Sequence, residues 1–432
     1  MSTTALPGSH RVDGAVPHRP ERAEVLAPLV AVAVCLLPFL RPAGPGNTAV
    51  ADVAMGGSIV VAALWTSSRG LPVSFPYAVG VTGLVIGGAL AANVVAAPLP
   101  VVLILAQDAF LLFWAATLAL GRYDAAILRA VTVTWCRVAV GYAGVGIVAY
   151  LIGFAPLSGV SAQDGVRASY TFSDPNLAAN YLVTSLFVMV ACRRPRADST
   201  RRIGYVLVLV AIGFTGSNGA LLTLAVGGVL CLSLSEFRRG GALPGVLSLT
   251  VTSAVAAVLL LVVLPAVNLD ALRQDAANSI PLLRDSVGRS GSSTDERAVI
   301  LEEGTKLYLN GDALGVGPAQ TKQTLLQTQA PYVKEAHDDY LATLLERGVV
   351  GAIGLVLLVA AVLVRCWRLA VGVLPAEYAR IVPRAHLLVV VAPVMGIASG
   401  FYEVLHFRHL WTWMGLLAAL VLVEQDARRR SS

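Results

Sequence analysis

Apolar runs of about 16 to 25 residues recur along nearly the whole chain, and a segment of that length can cross the ~30 Å hydrocarbon core of a bilayer as an α-helix. A helix makes its backbone hydrogen bonds within the segment, which is what a chain inside lipid requires. The composition agrees, with 56% hydrophobic and 13% charged residues and a mean hydropathy of +0.73. The sequence therefore predicts an all-α, polytopic integral membrane protein.

We predict about 12 transmembrane helices from these runs. They lie at 25–40, 48–66, 75–93, 98–120, 130–154, 175–192, 203–217, 219–235, 245–265, 342–364, 385–402 and 409–424. Helices 1–9 thus occupy 25–265 and helices 10–12 occupy 342–424, with one long connection at 266–341 between them. Residues 1–24 lack hydrophobic periodicity and are predicted to be a disordered tail, and 425–432 form a short basic tail.

The distribution of arginine predicts the orientation, because short cytoplasmic loops retain positive charge during insertion. With both termini inside, the even-numbered connections and the tails hold most of the arginines: Arg69, Arg122, Arg129, Arg193, Arg194, Arg196, Arg201, Arg202, Arg238, Arg239, Arg365, Arg368, Arg380, Arg384 and those of the two tails. The short connections on the other side hold only Arg41, Arg167 and Arg408. We therefore expect a plasma-membrane protein whose long 266–341 loop is extracytoplasmic.

The pI near 9.2 is explained by these cytoplasmic arginines, and no basic patch is interleaved with aromatic residues. Nucleic acid is therefore excluded as a partner. The five cysteines lie within or beside apolar spans without a CxxC pair. We expect them to be buried small hydrophobes, neither disulfide-bonded nor metal ligands.

Four external polar patches carry candidate chemistry, and the first two flank predicted spans. In the 167–176 segment, Ser173 or Asp174 can cap a helix that begins near Pro175. Arg167 is the only basic residue of its loop, and its planar guanidinium suits a diphosphate. In the 215–218 turn, small residues allow two helices to reverse closely, and a binding role for Asn218 stays open.

The third patch lies in the long loop. Arg297 precedes apolar positions at the spacing of an amphipathic helix, which we expect to rest on the membrane or over a cavity. The helix is followed by a Leu-Gly-Val-Gly-Pro turn at 314–318. Acidic residues outnumber basic ones over 266–341, so any anion site in this loop must be local.

The fourth patch is His337-Asp338-Asp339, at the start of a helix predicted to carry Tyr340, Leu341, Leu344 and Leu345 on one buried face. A histidine placed there can remove a proton from a sugar hydroxyl at neutral pH, although an ordinary surface role stays open. The two aspartates either favour the helix dipole or bind a hard divalent cation. His406 and His409 lie on the same side, but a zinc site with His337 lacks a convincing third ligand.

These segments together resemble the O-antigen ligase/polymerase family, integral membrane glycosyltransferases that use polyprenyl-diphosphate-linked glycans. Arg167 to Asn176 is similar to the family's Arg followed by Thr-Phe-x-x-Pro-Asn. Arg297 to Gly317 is similar to its loop element, an Arg ahead of Leu-Gly-x-Gly, and Ala336 to Gly354 to its His-Asn-x-Tyr-Leu helix that continues into Glu-x-Gly. The likeness covers roughly 25–424 and implies a GT-C type architecture.

The resemblance implies a mechanism. His337 would be the catalytic base that deprotonates an acceptor hydroxyl, which attacks the anomeric carbon with inversion and displaces polyprenyl diphosphate. Arg167, Arg297 and Arg408 would bind the diphosphate. Supporting roles would fall to Asp338, Tyr340, Asn176 and Asn218. The family's reaction needs neither a metal nor a cofactor, and the implied partners are the lipid-linked donor, a glycan or lipid-glycan acceptor and the bilayer.

The chain departs from the family pattern at two positions. Asn218 stands where the family has an arginine after serine, and either Arg408 or a loop arginine such as Arg289 could replace that charge. Asp338 replaces an asparagine beside the histidine, and a carboxylate close to His337 would raise the histidine pKa. Ligases and polymerases share these motif positions, so the sequence does not separate them.

Two other functions stay open. A metal-dependent transferase would use Asp338 and Asp339 as ligands. A polysaccharide transporter or lipid-linked oligosaccharide flippase would need ionisable residues along a path through the spans, for which the candidates are Asp52, Asp108 and Arg137.

Overall fold

The computed structural model describes residues 21–41, 48–66, 75–92, 95, 98–161, 166–258, 290–330 and 338–431, with the backbone alone at 21–23, 75, 98, 256–258 and 290–298. Within these ranges the protein is helical and has no strand. The helices are α1 (Glu21–Leu36), α2 (Val50–Thr66), α3 (Phe75–Ala91), α4 (Pro98–Ala119), α5 (Ala125–Leu151), α6 (Ala155–Ser158), α7 (Pro175–Cys192), α8 (Asp198–Thr215), α9 (Asn218–Gly240), α10 (Ala242–Val258), α11 (Ser290–Leu309), α12 (Thr321–Gln327), α13 (Asp339–Val371), α14 (Ala376–Ile381), α15 (Val391–Ser399) and α16 (Arg408–Ser431).

Among the described residues, 5 helices are long and apolar enough to cross a membrane: Leu99–Arg122, Ala125–Leu151, Pro175–Cys192, Asn218–Gly240 and Asp339–Val371. Shorter apolar helices occur at Glu24–Leu36, Val50–Thr66, Pro76–Ala91, Ala242–Val255 and Ala385–Ser399. The prediction of an all-helical membrane protein is therefore confirmed, whereas the total of about 12 spans stays a prediction.

Large apolar side chains cover much of the outer surface of the bundle. Val53 on α2 is 79% exposed, Leu64 on the same helix 66%, and Leu243 on α10 78%. In water so many exposed apolar side chains would drive aggregation, whereas lipid tails solvate them. Of the cysteines, Cys136, Cys192 and Cys366 are buried as predicted, but Cys35 is exposed on this apolar surface, so its predicted burial was wrong.

Helix α13 packs closely along α3 because glycines face one another across the contact. A Cβ at Gly83 would lie 2.7 Å from the Cα of Gly354, and one at Gly87 would overlap the backbone of Gly351. Small residues at this spacing let two membrane helices approach backbone to backbone. The contact fixes α13, which carries the predicted catalytic segment at its N-terminal end.

Buried polar contacts hold α13 and α16 against the rest of the bundle. Arg347 on α13 forms an ion pair with Asp108 on α4, and both side chains are largely buried. The Trp114 indole on α4 donates to Thr412 Oγ1 on α16 at 2.9 Å. Asp108, one of the three ionisable residues considered for a transport path, therefore takes part in helix packing.

The helix ends form two groups at opposite ends of the bundle. At one end, here the site end, Thr171 contacts the carbonyl of Pro38, Arg167 contacts Thr215, and Asp339 contacts Val404.

At the other end, here the arginine end, Arg122 pairs with Asp426 at 2.9 Å and Arg238 donates to the Gly372 carbonyl at 3.0 Å. Tyr378 also donates its hydroxyl to the Arg122 carbonyl at 3.1 Å. Arg122 and Arg238, predicted to share one side of the membrane, thus lie at the same end of the bundle, and the side of the membrane that each end faces stays a prediction.

Candidate functional site

Helix α13 begins at Asp339, two residues after His337, which was predicted to lie on its first turn. Asp338 has extended backbone angles (φ −152°, ψ 116°) and is the N-cap residue. One of its carboxylate oxygens accepts from the N–H groups of Tyr340 at 2.8 Å and Leu341 at 3.0 Å. The cap fixes where the helix starts.

The next aspartate points into the protein. Asp339 is 4% exposed, and its carboxylate accepts from the backbone N–H of Val404 at 2.7 Å and of Leu405 at 3.4 Å. Two backbone donors satisfy a buried carboxylate that would otherwise be costly to bury. Asp339 thus fastens the start of α13 to the 400–409 segment, which leads into α16.

Tyr340 does not lie on the buried face that the sequence predicted. Its side chain is 46% exposed, and its hydroxyl donates to the Gly396 carbonyl on α15 at 2.8 Å. Leu345, by contrast, is 2% exposed, as predicted. The discrepancy arises because the helix starts beside α15, which gives the tyrosine hydroxyl a backbone acceptor at the surface.

Helix α13 is interrupted at Gly348, which has φ +60° and ψ −164°. The interruption frees carbonyls on one side of the helix, and the 313–319 turn binds there: Val316 N–H donates to the Leu345 carbonyl at 2.8 Å and Val349 N–H donates to the Ala313 carbonyl at 2.9 Å. Gly315 and Gly317 also have positive φ, which only glycine adopts without strain. The Leu-Gly-Val-Gly turn and the Glu-x-Gly of α13, two motifs distant in sequence, are therefore one structural unit.

Glu346 completes this unit, and sequence reasoning gave it no role. Its carboxylate accepts from the Ala319 N–H at 2.8 Å and from the Thr321 hydroxyl at 2.7 Å. It therefore secures the turn and the start of α12 against α13. The Glu-x-Gly motif contains Glu346, but the sequence alone does not indicate which N–H and hydroxyl groups its carboxylate binds.

Helix α11, which carries Arg297, rests on the same part of α13. A Cβ at Gly304 would lie 2.9 Å from Leu341 Cδ2 and 3.2 Å from Leu345 Cδ1. The predicted helix in the long loop is thus present, and it packs against the first two turns of α13. The side chain of Arg297 and the whole of His337 and Arg289 lie outside the described residues, so their predicted roles stay predictions.

Arg167 is oriented by two contacts that come from different helices. Its Nε donates to the carbonyl of Thr215, the last residue of α8, at 2.8 Å. Its Nη2 donates to Asn176 Oδ1 at 2.9 Å. Asn176 lies on the first turn of α7, which Asp174 caps through a 2.6 Å contact with the Asn176 N–H. The predicted cap at Ser173 or Asp174 is confirmed as Asp174, and Asn176 acts by orienting Arg167.

Asn218 begins α9, directly after the turn whose carbonyl binds Arg167. Ser217 caps this helix with a 3.3 Å contact from the Ala220 N–H, and Gly216 has φ +57°. A Cβ at Gly219 would lie 3.3 Å from the Tyr402 hydroxyl oxygen. The start of α9 therefore reaches the 400–409 segment that also holds Asp339.

A cavity of about 570 Å³ opens at the site end. Arg41 and Ser173 line one wall, and His406, Arg408 and His409 line another. Arg41 donates from Nη2 to the Ser173 carbonyl at 3.0 Å. The sequence placed Arg41 outside the membrane but gave it no role, and its proximity to Arg408 across this cavity depends on tertiary contacts.

Arg408 is 4% exposed and forms a two-point ion pair with Asp52 on α2. Its Nε donates to Oδ1 at 2.6 Å and its Nη2 donates to Oδ2 at 2.5 Å. Asp52, a candidate for a transport path in the sequence, is therefore the counter-ion of an arginine in the cavity wall. The carboxylate holds the guanidinium plane in one orientation.

The histidines of the cavity are held in different surroundings. His409 is buried and its Nε2 lies 2.8 Å from Asn180 Oδ1 on α7. His406 is half-buried, and desolvation together with the positive charge of Arg408 lowers its pKa to about 4. Near neutral pH His406 is therefore uncharged, and the positive charge in this wall comes from arginine.

No metal cluster is formed by the described part of the chain, where no group of three or more His, Cys, Asp or Glu side chains is arranged to hold an ion. The carboxylates of Asp338 and Asp339 accept backbone N–H groups instead. Both carboxylates thus fix the start of α13, Asp338 through one oxygen and Asp339 through both, and the divalent-cation site stays an alternative prediction.

Comparison with known sequences gives one match to a family model. The family model described as O-antigen ligase matches residues 203–356, a segment that runs from α8 through the long loop into α13. No curated protein matches the chain. The matched segment contains Asn218, Arg297, His337, Glu346 and Gly348. Arg167 and Arg408 lie outside it.

Proposed function

Because the O-antigen ligase family model matches residues 203–356, we propose that the chain is an extracytoplasmic glycosyltransferase that ligates or polymerises a polyprenyl-diphosphate-linked glycan. The observation that carries this proposal is the convergence of the matched segment with residues outside it. Asp339, two residues after His337, accepts a hydrogen bond from the Val404 N–H in the 400–409 segment. The same segment contributes Arg408 to the wall of the cavity.

A continuous set of contacts supports the proposed grouping. Asn176 and Thr215 hold Arg167, the turn after Thr215 starts α9, and Gly219 of α9 lies against Tyr402. Tyr402 belongs to the 400–409 segment, and Arg408 of the same segment lines the cavity. These contacts support the proposal that the predicted motif segments act together at the site end, as a reaction that joins a donor diphosphate to an acceptor requires.

In the proposed reaction an acceptor hydroxyl gives its proton to the His337 imidazole while its oxygen attacks the anomeric carbon of the donor sugar. The bond from that carbon to the diphosphate oxygen breaks with inversion, and polyprenyl diphosphate leaves with the electron pair. Arg167, Arg297 and Arg408, joined by Arg41, would bind the diphosphate and stabilise its growing charge. Arginine can supply this stabilisation alone, so we propose a metal-independent reaction without a cofactor.

An apolar groove beside the start of α13 suits the lipid part of the donor. Tyr340 and Ser399 stand at its polar end, and Leu355, Val362 and Trp413 line its depth between α13, α15 and α16. An isoprenoid chain is apolar and flexible, and such a groove can hold it while the diphosphate stays at the polar end.

We infer the side of the membrane that each end of the bundle faces from the distribution of arginine. The arginine end would be cytoplasmic by the positive-inside rule, with both termini inside, about 12 spans in all and a GT-C type architecture. The site end, with its cavity, would then be extracytoplasmic, where finished lipid-linked glycans are joined.

A transporter or flippase is the alternative, and the ion pairs weaken it. Asp52 pairs with Arg408 and Asp108 pairs with Arg347, so two of the three candidate path residues have structural partners. A deletion strain distinguishes the functions: lipid-linked repeats accumulating outside the membrane support the transferase, whereas accumulation inside supports a flippase.

The direct test is transfer in vitro from a defined lipid-linked repeat, with products sized on a gel. We expect a ladder from a polymerase or one new band from a ligase, and no product from His337→Ala or Arg297→Ala. Arg239→Ala is the matched control, because Arg239 is 73% exposed at the arginine end and pairs only with its helix neighbour Glu236 among the ion pairs described. Full activity in both site variants would disprove the proposed mechanism.

A further inference from the structure

A second cavity, of about 620 Å³, lies at the arginine end of the bundle. Five arginines from three separate segments line it: Arg129, Arg137, Arg194, Arg196 and Arg380. It is distinct from the cavity of the candidate active site, whose lining residues it does not share. No step of the proposed transfer reaction uses it.

The fold brings these arginines together. Arg129, Val133 and Arg137 repeat every four residues on one face of α5. Arg194 and Arg196 belong to the turn after α7, and Arg380 lies on α14. Retention of positive charge during insertion explains why the loops contain arginine. It does not explain why arginines from three segments line the same cavity.

Carboxylates do not neutralise this group. Among the ion pairs of the described residues, none includes any of the five arginines. Two acids at the arginine end have other partners: Asp198 pairs with Arg201, and Asp426 pairs with Arg122. Several like charges around one cavity repel one another, and a bound anion would remove that repulsion.

Arg194 gives a second, independent indication. Its Nε is buried and has no hydrogen-bond partner within the described part of the protein. Burial lowers the pKa of Arg194; the thiols of Cys192 and Cys136 oppose this shift, and the charges of Arg196 and Arg137 add to it by smaller amounts. A buried guanidinium N–H without an acceptor is uncommon in native proteins, and the oxygen of a bound anion would satisfy it.

The remaining lining of the cavity is apolar. Val133 and Cys136 of α5 and Ile381 of α14 form this part of the wall. A cavity with guanidinium groups on one side and apolar groups on the other suits an amphiphile at the surface of a bilayer. Free phosphate would use only the charged part of such a cavity.

We propose that this cavity binds the phosphate of an anionic phospholipid headgroup, held by Arg137, Arg194 and Arg196. The planar guanidinium groups match phosphate oxygens in pairs, and the apolar wall accommodates the first carbons of the lipid. The site anchors α5, the turn after α7 and α14 to one another through the lipid. This proposal does not depend on the transferase reaction.

The test uses the full chain, purified in neutral detergent and stripped of lipid. Dioleoylphosphatidylglycerol, dioleoylphosphatidylcholine and potassium phosphate are titrated separately, and binding is read by native mass spectrometry and by the shift in melting temperature. The test variant is Arg137→Gln/Arg196→Gln. The matched control is Arg202→Gln/Arg239→Gln, which removes the same charge from exposed positions at the same end but outside the cavity.

We expect phosphatidylglycerol to bind the wild-type protein more tightly than phosphatidylcholine, and the test variant to bind it roughly tenfold more weakly. The control should bind within about twofold of wild type, because its arginines do not contact the ligand. Equal binding of phosphatidylglycerol to wild type and test variant would overturn the site. Binding of potassium phosphate without binding of phosphatidylglycerol would overturn the lipid assignment.

Discussion

The guanidinium of Arg408 and the carboxylate of Asp52, 356 positions apart in the sequence, form a two-point ion pair in the wall of the site-end cavity. The pair joins α2 to the start of α16. Because the Arg408 side chain is 4% exposed, little water is available to compensate for the loss of its partner. The interaction therefore fixes both the orientation of the arginine and the position of the 400–409 segment.

Asp52→Asn is expected to destabilise the protein by about 3 kcal/mol, because it leaves a buried positive charge without its counter-ion. The lower part of the usual range applies since the Asp52 side chain is 17% exposed. The measurement is the unfolding midpoint in detergent, followed by tryptophan fluorescence. As the control, Arg239→Ala breaks an exposed pair with Glu236 and should cost less than about 1 kcal/mol. Equal effects of the two substitutions would contradict the structural role of the buried pair.

Gly348→Ala is expected to detach the 313–319 turn from α13. A Cβ at this position would overlap the Ala313 carbonyl oxygen, and the φ of +60° is strained for any other residue. The expected cost is about 1–3 kcal/mol, with faster proteolysis within 310–320. Gly57→Ala is the control, because a Cβ there meets no atom within 4 Å. A protease-resistant turn in Gly348→Ala would show that the turn does not depend on the helix interruption.

The sequence predicted most of the helices because each depends on a local signal. The span predicted at 175–192 matches α7, and its cap and first-turn proline follow from Asp174 and Pro175. The helix at 339 was also expected, but its interruption at Gly348 was not. Glycine is common in membrane helices, and only the contact with the 313–319 turn distinguishes Gly348 from Gly351 and Gly354 further along α13.

The candidate site was less predictable, since its contacts join residues far apart in sequence. Asp52 and Asp108 looked like charges inside spans, and nothing local indicates that their partners are Arg408 and Arg347. Asp339 was considered as a metal ligand, whereas its carboxylate binds the backbone of the 400–409 segment. In each case the sequence identified the ionisable group, but its role depends on which segment the fold places beside it.

The stability of the protein is expected to fall as pH decreases from about 6.5 to about 4, and His406 contributes to this loss. Desolvation and Arg408 lower the folded-state pKa of His406 to about 4, while the unfolded chain takes up the proton near the ordinary value. Above pH 6.5 both states are neutral at this position and His406 adds no pH dependence. Unfolding midpoints of wild type and His406→Gln measured across this range test the assignment. An identical slope in both proteins would exclude His406 as a source of it.

Transfer activity is expected to persist after chelation, because both aspartates beside His337 are occupied by backbone N–H groups. Asp338 binds those of Tyr340 and Leu341, and Asp339 binds that of Val404. Asparagine caps a helix as well as aspartate does, so Asp338→Asn should keep the stability of wild type, whereas Asp338→Ala should lose about 1 kcal/mol. The measurements are transfer rates with and without EDTA, together with unfolding midpoints of the two variants. Activity lost with EDTA and restored by magnesium, and lost in Asp338→Asn at unchanged stability, would instead identify these carboxylates as metal ligands.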